Sequence, residues 1–224
     1  MASSPPLSTE TIDSCLAQFD IRLDGAQLIA IQKYVSTLLI WNQKVSLTSI
    51  EDPREIVSRH FGESIFAGRF LIPSICRLAD VGTGAGFPGL PLKIAFPSLE
   101  IVLIEPNLKK CAFLTELIAQ LELKDVQIFR GQYSALREEN DLASTNHASG
   151  LKFDAVCSRA LGDYKGLLQW AKRVLAPDGR VFLWVGDENA ILLGRVKGWR
   201  WDPPTRLPES SRRAVLVGQP DHNL

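Results

Sequence analysis

The chain has 224 residues, 46% of them hydrophobic, with 25 Lys and Arg set against 25 Asp and Glu. That length suits one ordinary domain with an appendage and a single substantial core. Zero formal net charge excludes a generally basic protein, so any nucleic-acid contact has to come from a local patch.

Cys15, Cys76, Cys111 and Cys157 are scattered, with no C-x-x-C pair and no histidine at ligand spacing. They are expected to be reduced, mostly buried thiols, and no metal is expected. Met1 to Leu7 lacks the basic start and apolar run of a signal peptide, and no stretch approaches the roughly 18 apolar residues of a membrane span. A cytoplasmic protein without a membrane partner is the expectation.

Residues 1–8, with Ser3, Ser4, Pro5 and Pro6, are expected to form a loose tail. Asp24-x-x-Gln27 has the form of a capping box, and Leu28, Ile31, Val35 and Leu38 follow at helical spacing toward Trp41. Asp52-Pro53-Arg54-Glu55 is a second helix start, predicted to run to about Phe70. Residues 9–72 are thus expected to form a helical cap ahead of a sheet domain over 73–224.

From Arg77 the period changes. Strands are predicted at Leu78 to Val81, Ile101 to Glu105, Val126 to Phe129, Phe153 to Ser158 and Arg180 to Val185. Helices are predicted at Gly89 to Phe96, Leu108 to Leu121 and Tyr164 to Leu175. Such alternation implies an α/β fold with a parallel, doubly wound sheet. The polar run Arg137 to Gly150 is expected to be a long loop, and Pro177-Asp178-Gly179 a turn into the fifth strand. Trp199 to Trp201 and Ala214 to Val217 are expected to close the sheet as an antiparallel pair, with one tryptophan inside and the other outside.

Between the first strand and its helix lies Asp80-Val-Gly-Thr-Gly-Ala-Gly-Phe-Pro-Gly89. Gly82, Gly84, Gly86 and Gly89 let backbone turn sharply and approach a nucleotide-like ligand. The Gly84-x-Gly86-x-x-Gly89 spacing alone fits NAD as well. Asp80 argues against it. A pyrophosphate at this turn would meet a carboxylate, and Pro88 removes an N–H that would cradle phosphate. S-adenosylmethionine brings an ammonium and a sulfonium instead, which suit an acid there. Asp80 can also simply cap the loop. Glu105, at the end of the second strand, can accept from ribose hydroxyls.

Trp41-Asn42, Val45-x-Leu47-Thr48-Ser49, Arg59-His60-x-x-Glu63-Ser64, the Asp80 to Gly89 loop and Ser158-Arg159-Ala160 together resemble the bacterial small-subunit rRNA guanine-N7 methyltransferases, the glucose-inhibited division protein B family. The likeness runs from about Asp24 to about Val217. It implies a class I, Rossmann-like methyltransferase fold, S-adenosylmethionine as donor and one guanine of small-subunit rRNA, free or in its particle, as acceptor. By position, cofactor contacts fall on Gly82, Gly84 and Phe87, on Glu105, Pro106 and Asn107, on Tyr133 and Ser134, and on Arg159. The chain departs from the family pattern at Ser134, where a carboxylate is usual, at Val185, where a lysine is common, and at Glu63, usually Asp.

Guanine N7 carries an available lone pair, so no catalytic acid or base is nominated. His60 is expected to be a hydrogen-bonded structural residue or a base contact. RNA contacts are expected from Arg59, His60, Arg159, Lys165 and the basic tail that includes Arg212 and Arg213, in a monomer. Competing readings are a methyltransferase for another RNA or a small molecule, an NAD-dependent oxidoreductase, and an RNA-binding module without catalysis.

Overall fold

A computed structural model describes residues 6–71, 77–137, 152–159 and 162–221. The tail through Pro5, Cys76, the whole polar run after Arg137, and Ala160 lie outside the described residues. Ser8 caps α1 (Thr9–Ala17), and Asp24 and Gln27 cap each other at the start of α2 (Gly25–Asn42). Residues 43–51 are not helical and separate this helix from the next start at Asp52, as the two start signals led one to expect. The Asn42 side chain folds this loop back, with Oδ1 accepting from Leu47 N and Thr48 N and Nδ2 donating to Thr48 O.

The next helix starts as predicted, with Asp52 accepting from Glu55 N at 2.8 Å. It then changes pitch: α3 (Pro53–Ile56), a π-helical turn (Val57–Gly62), α4 (Glu63–Phe66) and a 3-10 turn (Ala67–Phe70). The wider π turn carries Arg59 and His60, and turns of this kind concentrate at functional sites. Apolar periodicity does not separate these pitches over so few residues.

Five parallel strands follow: β1 (Arg77–Val81), β2 (Glu100–Ile104), β3 (Val126–Phe129), β4 (Phe153–Arg159) and β5 (Leu175–Gly186). Between them run α5 (Gly89–Ala95), α6 (Leu108–Gln120) and α7 (Tyr164–Val174). α8 (Asp187–Leu193) leads to β6 (Trp199–Trp201), β7 (Thr205–Arg206) and β8 (Arg213–Pro220). Strand order is β3-β2-β1-β4-β5-β8-β6, with β7 beside β8; β8 runs antiparallel to β5, β6 and β7. The chain reverses its winding between β1 and β4, so the ligand crevice is expected at the carboxyl ends of β1, β2 and β4.

Two local expectations are corrected. Pro177-Asp178-Gly179 lies inside β5, where Phe153 pairs with Leu175 and Ala155 with Arg180, so the intervening residues bulge out of register. Trp199 and Trp201 share one face, because residues two apart on a strand point the same way, and their rings stack at 5.6 Å.

The sheet is buried on both faces. Leu78, Leu103, Phe182 and Val215 join Ile12, Leu38 and Phe61 from the N-terminal helices in one cluster. Ala79, Ile104 and Leu183 join Leu167, Trp170 and Leu193 in the other. The helical cap and one face of the sheet therefore share a core. Among the described residues no helix is long and apolar enough to cross a membrane.

Candidate functional site

The turn after β1 takes positive φ at Gly82, Gly84 and Gly86, of 70°, 60° and 95°. Gly86 is held tightly, since a Cβ there would lie 2.5 Å from Tyr34 Oη and 2.7 Å from Leu90 Cδ1. Gly84 is open. Its nearest neighbour to such a Cβ is Gly82 O at 3.9 Å, so this side of the loop has room for a ligand to approach backbone.

Asp80 is fully buried beneath the turn. Its Oδ2 accepts from Thr83 Oγ1 at 2.6 Å and Gly89 N at 2.8 Å, which ties strand, loop and helix start together. The capping role is therefore present. Oδ1 is buried with no N–H or O–H donor among the described residues, the weakly donating Cys157 thiol lying beside the carboxylate. An orphaned carboxylate oxygen beside an open glycine turn fits a cationic ligand and opposes a pyrophosphate.

Burial raises the Asp80 carboxyl to about 6, with a smaller push from the Glu105 charge, while bonds from Thr83, Gly89 and the Cys157 thiol pull it down. Because the unfolded chain then loses its proton first, stability linked to Asp80 is full at low pH and is lost as pH rises through about 6. The size is roughly 3 kcal/mol. Asp80→Asn is expected to remove this loss, so urea unfolding of wild type and variant should diverge between about pH 4 and pH 6, with wild type the one that weakens. Taking the difference cancels His60, whose own linkage has the opposite sign. A constant difference across that range would contradict a neutral buried Asp80 at low pH.

Glu105 is also buried, just past β2. Oε2 accepts from Gly84 N at 3.0 Å and Oε1 from Asn107 N at 2.9 Å, so the carboxylate clasps the two loops that meet at the crevice. Each oxygen retains capacity for a further donor, as ribose hydroxyls would provide. Asn107 caps α6, accepting from Lys109 N and Lys110 N, and Pro106 and Asn107 are exposed.

The cap reaches the glycine turn from its other side. Tyr34 of α2 donates to Ala85 O, and its ring stacks on Phe87 at 5.3 Å. His60 stacks on the same ring at 4.5 Å, and Phe61 meets it edge-on at 5.4 Å. The Phe87 side chain thus belongs to the cap core, which leaves its backbone for any cofactor contact. His60 Nε2 shares a 2.8 Å hydrogen bond with Thr48 Oγ1, the residue held by Asn42. Burial, then the charges of Arg159, Arg59 and Arg213, lower His60 to about 3. It is neutral at working pH, and stability linked to it is lost as pH falls below 6.5.

Arg159, at the end of β4, donates to Arg59 O at 2.9 Å and pairs with Glu63 at 3.4 Å. Arg213 at the start of β8 pairs with the other Glu63 oxygen at 2.7 Å, and Trp184 Nε1 of β5 donates to Glu63 O at 2.9 Å. Glu63 is 2% exposed. Burial lifts its carboxyl, and the arginines counter that lift. The Arg159 bond to Arg59 O joins the carboxyl end of β4 to the π turn of the cap. Arg213 is likewise engaged inside the protein. Arg59 itself pairs with Glu55 on the surface, and Arg212 is exposed at the carboxyl end of β5.

Tyr133 lies in a 3-10 turn after β3, its hydroxyl donating to Asp163 at 2.9 Å and its ring edge-on to Trp170. Ser134 beside it is exposed. The structure thus groups Asp80, Gly82, Gly84 and Glu105 around one crevice, with Asn107 and Tyr133 on the loops that follow β2 and β3. Tyr34, Thr83 and Glu63 were not singled out as functional by sequence reasoning. In the sequence Glu63 figures only as part of the Arg59-His60-x-x-Glu63-Ser64 motif, without a role.

A family model described as rRNA small subunit methyltransferase G matches residues 27–193. The ribosomal RNA small subunit methyltransferase G of Roseiflexus castenholzii is 37% identical over 211 residues, covering 88% of this chain and 85% of that one. Its counterpart from Xylella fastidiosa is 34% identical over 176 residues, covering 77% of each. Among solved structures, a SAM dependent methyltransferase from Aquifex aeolicus superposes with TM-score 0.57 at 16% identity, over 75% of this chain and 93% of that one. A ribosomal protein L11 methylase from Lactobacillus delbrueckii gives 0.56 at 15%, over 74% and 80%. These two likenesses establish the class I, Rossmann-like methyltransferase fold. With the family model spanning most of its length and relatives above 30% identity, the chain belongs to the rRNA small subunit methyltransferase G family.

Proposed function

We propose that this protein transfers a methyl group from S-adenosylmethionine to N7 of a guanine in small-subunit ribosomal RNA. Family membership carries the substrate class. The buried, half-satisfied Asp80 beside the open face at Gly84 supports the cofactor, because an ammonium completes that carboxylate and a pyrophosphate repels it. S-adenosylmethionine, when bound, supplies an electrophilic methyl group on sulfur.

Asp80 and Glu105 would hold its two polar ends, with Gly82, Gly84 and the backbone of Phe87 lying against it and Asn107, Tyr133 and Ser134 beside the adenine. Arg159 sits where β4 opens onto the crevice, fixed by Glu63. The attacking nitrogen brings its own lone pair, so the chain's task is alignment and exclusion of water. His60, neutral and bonded to Thr48, fits a wall rather than a base. Exposed Arg212 and the outer edge of Arg59 are available to RNA. All these groups come from one chain, which supports a monomer, and the substrate supports action in the cytoplasm.

The test is transfer of labelled methyl from S-adenosylmethionine to small-subunit rRNA, as naked RNA and as particle. Label in a single guanine, recovered as 7-methylguanine, is expected. Label at another base or atom would refute the assignment.

A further inference from the structure

At the end of the sheet away from the glycine turn, β5, β8 and β6 carry a row of polar residues. Val181 pairs with Gly218 and Arg200 with Gln219, so one step along β5 sets Arg180 opposite Gln219. Phe182 and Val217 face the core beneath the N-terminal helices, whereas Trp199 and Trp201 pack against the opposite cluster. By the two-residue period of a strand, Arg180, Gln219 and Arg200 stand side by side on the face that Phe182 and Val217 share. At about 4.8 Å between strands, the two arginine Cα atoms are about 10 Å apart.

These three residues line a cavity of about 200 Å³ with Asp202, Val217 and Gly218. Arg180 Nε is buried with no hydrogen-bond partner among the described residues. Arg200 donates to Gln219 Oε1 at 3.1 Å, which turns that amide's acceptor toward one arginine and leaves its N–H donors for another group. Neither arginine forms an ion pair among the described residues, and Asp202 on the rim forms none. By contrast, Arg206 and Arg213 of the same basic stretch are neutralised by Asp187 and Glu63. A partly buried guanidinium without an anion costs stability unless a ligand supplies one.

The geometry points to a phosphate site for the RNA substrate, built by Arg180, Arg200 and Gln219. It rests on the reading that RNA is the acceptor, and it extends that reading to a contact remote from the chemistry. Two guanidiniums across one strand suit the oxygens of a phosphodiester, for which an arginine fork is matched in shape and charge. Six residue steps along β5 take Arg180 to Gly186 at the crevice edge, about 20 Å. A folded RNA spans that distance, so the site would fix the register of the RNA rather than touch the methylated base.

Binding of a small-subunit rRNA fragment, measured between about 50 and 200 mM salt, tests this. Arg180→Gln and Arg200→Gln should each weaken binding several-fold and reduce the slope of log affinity against log salt by about 1. Affinity for S-adenosylhomocysteine should not change, and Arg180→Lys should retain most of the slope. Arg200 is exposed at the sheet edge, so its variant remains informative even if Arg180→Gln does not fold. If wild type methylates the RNA while the double variant binds it with unchanged affinity and slope, the proposal is overturned. It is equally overturned if only protection by inorganic phosphate against thermal unfolding is lost, which would mark a small-anion site. Failure of wild type to methylate any RNA strikes instead at the acceptor reading on which the site depends.

Discussion

Glu63→Gln is expected to lower the unfolding free energy by about 3 kcal/mol, because it strips the counter-charge from Arg159, whose side chain is 17% exposed, while Arg213 is left half-buried. An amide keeps one acceptor oxygen but turns an N–H pair toward a guanidinium. Loss near the lower end of the range for broken buried pairs is expected, since Arg213 is 30% exposed and can be rehydrated. The same change frees Arg159 at the mouth of the crevice, so cofactor affinity should fall together with stability. Glu63→Asp keeps the charge at shorter reach and should recover part of both. Urea unfolding with parallel calorimetry of S-adenosylhomocysteine decides this. A stability change below about 1 kcal/mol would show that the two ion pairs act as exposed ones do.

Gly86→Ala should be about as damaging and should act on the cofactor more directly. At φ of 95° a side chain costs about 1–2 kcal/mol from backbone alone. The added Cβ also lies 2.5 Å from Tyr34 Oη and 2.7 Å from Leu90 Cδ1, so the Tyr34 bond to Ala85 O has to break or the turn has to shift. Cofactor affinity should drop by at least about tenfold, the equivalent of 1.4 kcal/mol. Gly25→Ala is the control. It sits in the first turn of α2 with nothing within 4 Å of its Cβ position, and should stabilise the chain by about 0.5–1 kcal/mol. Equal cofactor affinity in Gly86→Ala and wild type would mean that the turn is not the cofactor platform.

What the sequence made legible was mostly local. The capping box at Asp24, the Asp-Pro start at Asp52 and the first four apolar strands are set by backbone hydrogen bonding and side-chain period, and the structure has them within a residue or two, whereas β5 starts five residues early at Leu175. Asp80 and Glu105 stood out as acids at strand ends beside the glycine turn, and both meet that turn in the structure, Asp80 also filling the capping role. The π turn at Val57–Gly62 left no mark, since apolar spacing over six residues does not separate an α pitch from a π pitch. The hydrogen bonds from Asn42 to Thr48 and from Thr48 to His60 join residues apart in sequence, so their purpose emerges only in three dimensions. Likewise, a list of cations does not separate Arg213, which closes on Glu63, from Arg200, which forms no ion pair among the described residues. The two tryptophans at 199 and 201 show the cost of misapplying the strand period.

The central claim, methyl transfer to N7 of guanine by alignment alone, is tested most directly with RNA in which the mapped guanine is replaced by 7-deazaguanine. That substitution deletes the attacking nitrogen and keeps the base-pairing edge. Complete loss of label at that position is predicted, with RNA binding unchanged. Continued transfer to the 7-deazaguanine RNA would contradict N7 as the acceptor.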